Sequence, residues 1–296
     1  GIMEHQTQVS EKSLLFSMSG YGFLLIGLVL LAAVGYSFLQ SEGEINALTV
    51  ILVILAALIF KGLSVIDPNE AVVTTFLGTY MGSMKKSGLR FIIPFYSKQK
   101  VSLRARNLNG QTLKVNDKAG NPIEIAAVIV WQVDDTARAV FAVDDYERFV
   151  AIQSEAAVRH LAGSYAYDHS EDVSADVTLR DSTGSINEKL EQELNERLAR
   201  AGVRVIEARI SHLAYAPEIA MAMLQRQQAS AVVSARKQIV EGAVGMVEMA
   251  LQRLHDRKTV ELSNAERAQL VSNLMVVLCA EKSVTPTVNM NSNQQY

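Results

Sequence analysis

The sequence predicts an α+β protein carried on an N-terminal two-helix transmembrane hairpin, with C-terminal helices and a short terminal strand behind the mixed domain. Three observations predict this. Two charge-free apolar runs, Tyr21 to Leu39 and Ile45 to Phe60, stand close together near the start. Beyond them apolar residues recur with period two from Glu70 to Val133, the spacing of half-buried strands, then with a period of three to four from Thr136 to Arg200. A long stretch after Pro217 then has no proline before Pro286 and is rich in alanine.

The first apolar run has about 19 residues, which as a helix at about 1.5 Å per residue crosses the roughly 30 Å hydrocarbon core of a bilayer. The second, about 16 residues, reaches across if Lys61 snorkels and Gly62 to Ile66 continue the helix. The acidic loop Gln40 to Glu44 is so short that the two helices must run antiparallel, with both outer ends on one side. That loop has no cation, whereas Lys12 precedes the hairpin and Lys61, Lys85, Lys86, Arg90, Lys98 and Lys100 follow it. Cations mark the cytoplasmic side, so the expectation is a multi-pass protein of the bacterial inner membrane with both termini and residues 61–296 cytoplasmic. A cleaved signal peptide is disfavoured, since one Lys against two Glu precedes Tyr21. Residues 1–19 are read as an N-terminal tail, with Gly1-Ile2 ahead of Met3 a cloning remnant, and residues 20–62 as the hairpin.

Hydrophobic residues make up 49% of the chain, charged residues 20%, and the net charge is -3. Such a balance describes an ordinary folded region and gives no basis for a nucleic-acid partner. The single Cys279 excludes an intramolecular disulfide and a cysteine metal cluster.

Glu70 to Leu77 is β-branched and aromatic and ends at Gly78, as a strand does. Gly88 to Phe95, Gln99 to Arg106, Gln111 to Val115 and a long strand from Ile123 to Val133 follow, with turn chemistry at Asn109-Gly110 and Asn121-Pro122. Tyr146, Phe149, Val150, Ala157 and Leu161 mark an amphipathic helix ending at Gly163. A second helix is expected from Val177 to Arg200, with Ile186, Leu190, Leu194 and Leu198 stacked four apart and Gly202 as its stop. Val203 to Ile210 alternates as a returning strand.

Read in order, several stretches resemble the SPFH or band 7 domain of stomatins, prohibitins and flotillins. They are Val65 to Glu70, Gly88 to Phe95, Ala126 to Val133, the Ala156-Ala157-Val158-Arg159 helix, and Ala201-Gly202-Val203 leading into Ile206, together covering residues 62–225. The resemblance implies two small α+β subdomains side by side on a membrane, over residues 63–215, followed by a long helix and assembly into large rings or cages. It also implies that Gly88 to Phe95 touches lipid through Leu89, Phe91, Ile92, Ile93 and Phe95. By makeup alone that stretch suits an interfacial anchor or a buried core strand equally. The resemblance favours the anchor.

Residues 216–258 are expected to form the oligomerisation helix. Val232, Ala235, Ile239, Met246 and Met249 fall near heptad spacing, and Ala229, Ala231, Ala243 and Ala250 broaden the stripe with small residues. The stripe calls for a partner helix, most simply a second copy meeting Val232, Ala235, Ile239, Ala243 and Met246, or for the protein's own domain. Relatives often carry a long Ala/Glu/Arg-rich repeat here; Arg236 to Ala243 departs from it, which favours a flatter ring or lower cage over tall walls. Residues 263–296 hold a helix opened by the capping box Ser263-Asn264-Ala265-Glu266, with Leu270, Leu274, Val277 and Leu278 on one sticky face. A short strand around Val288, where the resemblance places closure of an oligomer, and a polar tail complete them.

The sequence offers no catalytic constellation. Gly82 to Lys86 has the wrong spacing for a phosphate loop, and His5, His160, His169, His212 and His255 fall in separate elements. Asp134-Asp135 and Asp144-Asp145 sit at element boundaries, where capping is the common job, and Asp181-Ser182-Thr183-Gly184 lies inside the helical pattern. The expectation is therefore a non-enzymatic membrane scaffold with no cofactor, metal or catalytic residue. Its partners would be further copies of itself, membrane lipids, and a membrane protease or other integral membrane client. A regulatory subunit of one membrane enzyme and a lipid-acting stress protein remain open from sequence.

Overall fold

The computed structural model describes residues 11–14, 18–40, 46–169, 177–256 and 263–279. The chain divides into two compact units, Gly1–Ala216 and Pro217–Tyr296.

In the first unit a two-residue strand, β1 (Met18–Ser19), runs straight into helix α1 (Gly20–Gln40), whose 21 residues are mostly apolar and carry no charge. Helix α2 (Ala47–Gly62) lies against it, and the Ser37 and Thr49 hydroxyls hydrogen-bond between them at 3.0 Å. The expected helical continuation to Ile66 does not occur. Leu63 turns extended at φ -70°, ψ 128°, and β2 (Leu63–Ile66) begins at once, so α2 stops after 16 residues. β-branched and apolar residues here find a strand partner, and the ladder outweighs one more helical turn.

Strands β3 (Glu70–Phe76) and β4 (Thr79–Met84) form a hairpin through Leu77 and Gly78, which both take positive φ. Two consecutive positive φ values suit the right-handed twist of a tight hairpin. Next comes β5 (Gly88–Phe91), and Ile92 to Tyr96 leaves the strand for a turn. Strand β6 (Ser97–Ser102) pairs with β3, giving a β4-β3-β6 sheet, and β1-β5-β2 makes a second small sheet. No helix intervenes between β2 and β6; the helix that packs on β3 and β4, with the Phe141 and Tyr80 rings 5.5 Å apart, comes later in the chain.

The chain then forms β7 (Arg106–Asn109), β8 (Leu113–Asn116) and the 12-residue β9 (Pro122–Val133). Both short strands pair with β9, so Asn109-Gly110 is not a hairpin turn. The Gly110 N–H donates to the Ala127 carbonyl at 2.9 Å, and a Cβ at Gly110 would meet that oxygen at 2.8 Å. Glycine is needed there for close approach to the neighbouring strand.

Helix α3 (Thr136–Phe141) is capped by Asp135 and α4 (Tyr146–Ser164) by Asp145, each carboxylate accepting first-turn N–H bonds. Helix α5 (Thr183–Leu198) starts six residues later than expected, because Thr178 bridges Ala166 and Leu179 is fully buried ahead of it. Asp181 to Gly184 therefore lies at a helix entrance, with Ser182 at the cap position. A 3-10 turn (Ala199–Ala201) leads to Gly202, left-handed at φ 64°, whose added Cβ would strike the Asp135 carbonyl at 2.2 Å. The returning strand β10 (Val203–Tyr215) pairs antiparallel with β9 and bulges at Ile206, which breaks the expected clean alternation.

The main core lies between this sheet and α4 and α5. Ile123, Ile125, Ala127, Ile129, Trp131 and Val133 alternate on the inner face of β9, opposite fully buried Ile186, Leu190, Leu194 and Leu198. Burying each such side chain contributes about 1.5–3 kcal/mol.

The second unit consists of α6 (Pro217–Asp256), 40 residues and so about 60 Å long, and α7 (Asn264–Cys279), which pack on each other. The Ser263 amide and hydroxyl bond the Glu266 carboxylate at 2.9 and 2.7 Å, forming the capping box. Those bonds hold the Glu266 carboxyl below the usual carboxylate range. The expected strand around Val288 lies outside the described residues.

Candidate functional site

Strand β5 has β1 on one side and β2 on the other. Met18 and Leu63 flank Phe91, and Ser19 and Ser64 flank Arg90. Because β1 runs directly into α1 and β2 directly out of α2, both apolar helices end on the same three-stranded sheet. Phe91 stacks on Phe23 of α1 with ring centroids 3.9 Å apart and planes 9° from parallel. Its ring also covers Gly62, where an added Cβ would lie 2.3 Å away, and Leu89 sits 2.7 Å from where a Cβ on Gly20 would be. Both helix feet are thus bare glycines that admit side chains of β5.

The segment before the hairpin is held too. Lys12 and Ser83 bond through the backbone at 2.8 Å, Lys85 pairs with Glu11 at 2.8 Å, and the Thr136 hydroxyl donates to Glu11 at 3.1 Å. Leu14 joins Ile66, Val72, Met84 and Ile92 in a small second core. Residues read as a loose tail therefore carry part of the fold.

This geometry distributes the expected lipid-contact residues unevenly. Ile92 is 0% exposed inside the second core and is withdrawn from the set, because β2, β3 and β4 enclose it. Leu89 and Phe91 are half-buried against the helix feet, Ile93 is half-buried, and Phe95 is 67% exposed. Leu77, 89% exposed at the β3–β4 tip, was not signalled by the sequence. Thr75 pairs with Ser97 and Phe76 rests on Tyr96, which puts the tip beside Phe95. Apolar residues at a strained tip are a recurrent sign of a contact surface.

Cations gather at the foot of α2. The Lys98 ammonium, reaching from β6, donates to the Ser64 hydroxyl at 2.7 Å and to the Lys61 carbonyl, in the last turn of α2, at 3.4 Å. Burial first, and the Lys61 charge second, hold Lys98 below the usual lysine range.

In the second unit, Ala243 and Val247 are buried and Ala250, Leu251 and Leu254 half-buried along the face that meets α7. On α7 the half-buried face is Leu270, Val271, Leu274, Met275 and Leu278; Val277, expected there, is exposed. Ala243 is thus spent within the chain and leaves the set available to a second copy. Val232, Ala235, Ile239 and Met246 all stand exposed on α6 among the described residues.

Elsewhere the chemistry is sparse. His160 pairs with Glu193 at 3.0 Å, His169 with Asp181 at 3.6 Å and His212 with Glu124 at 3.7 Å, all exposed. No hydroxyl or thiol bonds any of these rings among the described residues, nor does any group of three metal-ligating side chains form there. A cavity of about 240 Å³ lies between α4 and the β7–β9 edge, where the buried Ser154 hydroxyl finds no protein partner. Glu155 also lines the cavity, but its carboxylate pairs with Arg159 at 2.9 Å and makes no hydrogen bond to the Ser154 hydroxyl.

Helix α1 is the one described helix both long and apolar enough to cross a membrane; α2 is apolar but shorter. Three relatives, each named only as an uncharacterised protein, match the chain. One from Methanothermobacter thermautotrophicus is 29% identical over 181 residues, 61% of this chain and 54% of the relative. One from Methanocaldococcus jannaschii is 25% identical over 58% of this chain and 82% of its own length. One from Archaeoglobus fulgidus is 26% identical over 79% and 90%. The chain spans only about half the first relative's length, and all three organisms are archaea, so the expected bacterial setting draws no support from them. A profile of the SPFH domain / Band 7 family matches residues 64–244, from β2 well into α6 and over more than half of the chain, which therefore belongs to that family.

Proposed function

We propose that this protein is a non-enzymatic membrane scaffold that self-assembles laterally into a closed ring or low cage and organises the lipid and membrane proteins inside it. The observation that carries the reading is the convergence of β1 and β2 on β5. With α1 and α2 in the bilayer as a two-pass anchor, both helix feet share one sheet, and the domain is held at the membrane surface at a fixed depth. Fixed depth confines diffusion to two dimensions and raises the effective concentration for lateral contacts. The bare apolar stretch of α6 then supplies the surface by which copies meet, and a closed ring leaves no unsatisfied end. An integral membrane client such as a protease would be enclosed by the ring.

The anchor is tested by topology. A protease added outside intact cells leaves residues 61–296 uncut while the protein stays in the membrane fraction after an alkaline wash. Cleavage within those residues, or release by the wash, contradicts the two-pass arrangement.

A further inference from the structure

Three cations stand at the foot of the hairpin: Lys61 in the last turn of α2, Arg90 on β5 and Lys98 on β6. None has a carboxylate partner among the described residues. By contrast their neighbours Lys85 and Lys100 are paired, with Glu11 at 2.8 Å and Glu70 at 3.3 Å. Residues directly opposite one another in an antiparallel sheet share a face, with Cα atoms about 5 Å apart. Ser19, Arg90 and Ser64 are such a row, one residue from each strand, on the face opposite Phe91. Lys98 joins the row through the Ser64 hydroxyl, and one of its three N–H groups remains uncommitted after its two hydrogen bonds.

Depth sets what this cluster meets. Helix α1, 21 residues and about 31 Å long, matches the hydrocarbon core, so Ser19 immediately before it lies at the core boundary. Arg90 and Ser64 lie beside Ser19 in the sheet and so enter the headgroup layer, which is about 5–8 Å thick on each side. Phosphate oxygens of phospholipids occupy that layer, and a guanidinium with two ammonium groups and two hydroxyls is chemistry suited to a phosphate. Burial of Lys98 next to Lys61 leaves like charges without an anion, which a bound phosphate would relieve.

We infer that Arg90, Lys98 and Lys61, with the Ser19 and Ser64 hydroxyls, form a headgroup site for an anionic phospholipid at the base of the hairpin. The inference rests on the two-pass anchor proposed above. It gives the family domain a lipid preference set by charge at one place, separate from the apolar contacts of Phe95 and Leu77.

The test is native mass spectrometry of the full chain released from detergent, after titration with phosphatidylglycerol or with neutral phosphatidylcholine. The expected result is preferential retention of phosphatidylglycerol, weakened about fivefold for each cation removed by Arg90→Gln or Lys98→Gln. Arg90→Lys should restore part of that loss, and Lys86→Gln, an exposed cation outside the row, should leave retention unchanged. Equal retention of the two lipids, or native retention by the doubly substituted Arg90→Gln, Lys98→Gln chain, overturns the site. Displacement of the lipid by excess inorganic phosphate overturns the lipid as the source of the anion. Each variant is also scored in the membrane fraction: loss from the membrane counts against the anchor, whereas retention there without a lipid preference counts against the site alone.

Discussion

Leu77 sits in the left-handed region at φ 47° and is 89% exposed, an unfavourable pairing of conformation and residue type. A non-glycine, non-asparagine residue there costs about 1–2 kcal/mol, and no burial within the chain offsets it. Leu77→Asn should therefore raise the thermal stability of the detergent-solubilised protein by about 0.5–1 kcal/mol, measured by unfolding, while weakening vesicle contact. A loss of stability would mean that Leu77 packs on the protein. Residues of this kind were hard to read in advance. Gly78 was visible as a strand stop, but the hairpin needs positive φ at Leu77 as well, which a leucine does not announce. Asp135, Asp145 and Ser263 were legible because a cap bonds amides only two or three residues away.

Elements formed by local rules follow the sequence closely: the apolar run of α1, the four-residue stacking in α5, and the period-two face of β9. Elements formed by distant partners do not. Leu63 to Ile66 reads as the end of a helix until β5, more than 20 residues later, offers it a ladder. Glu11 and Leu14 read as tail because their partners are near Ser83 and Thr136. The same distinction divides α6. Its Ala243–Leu254 face is covered by α7, a short-range helical pairing, whereas the stripe through Val232, Ala235 and Ile239 is exposed among the described residues. Ile239→Asp should accordingly break oligomers while leaving helix content and the membrane fraction unchanged, read by sizing chromatography and circular dichroism. Oligomers that survive would remove α6 from the interface. A loss of helix content would place Ile239 in the chain's own packing.

At the scale of the molecule, one small sheet couples the apolar hairpin to the family domain, with Phe91 stacked on Phe23 and Gly62 bare beneath it. On the proposed reading, that coupling would make lateral assembly economical, since every anchored copy would present its domain at one depth. The family's domain is recognisable as an ordered series of weak motifs, but which residues of Gly88 to Phe95 are buried is not, and the structure encloses Ile92 in the second core while leaving Phe95 exposed. Symmetric closure is the claim on which the scaffold reading depends. Electron microscopy of the full chain in mild detergent, preceded by sizing, tests it most directly: closed rings or low cages of many copies are the predicted result, and a stable monomer or dimer would contradict the account.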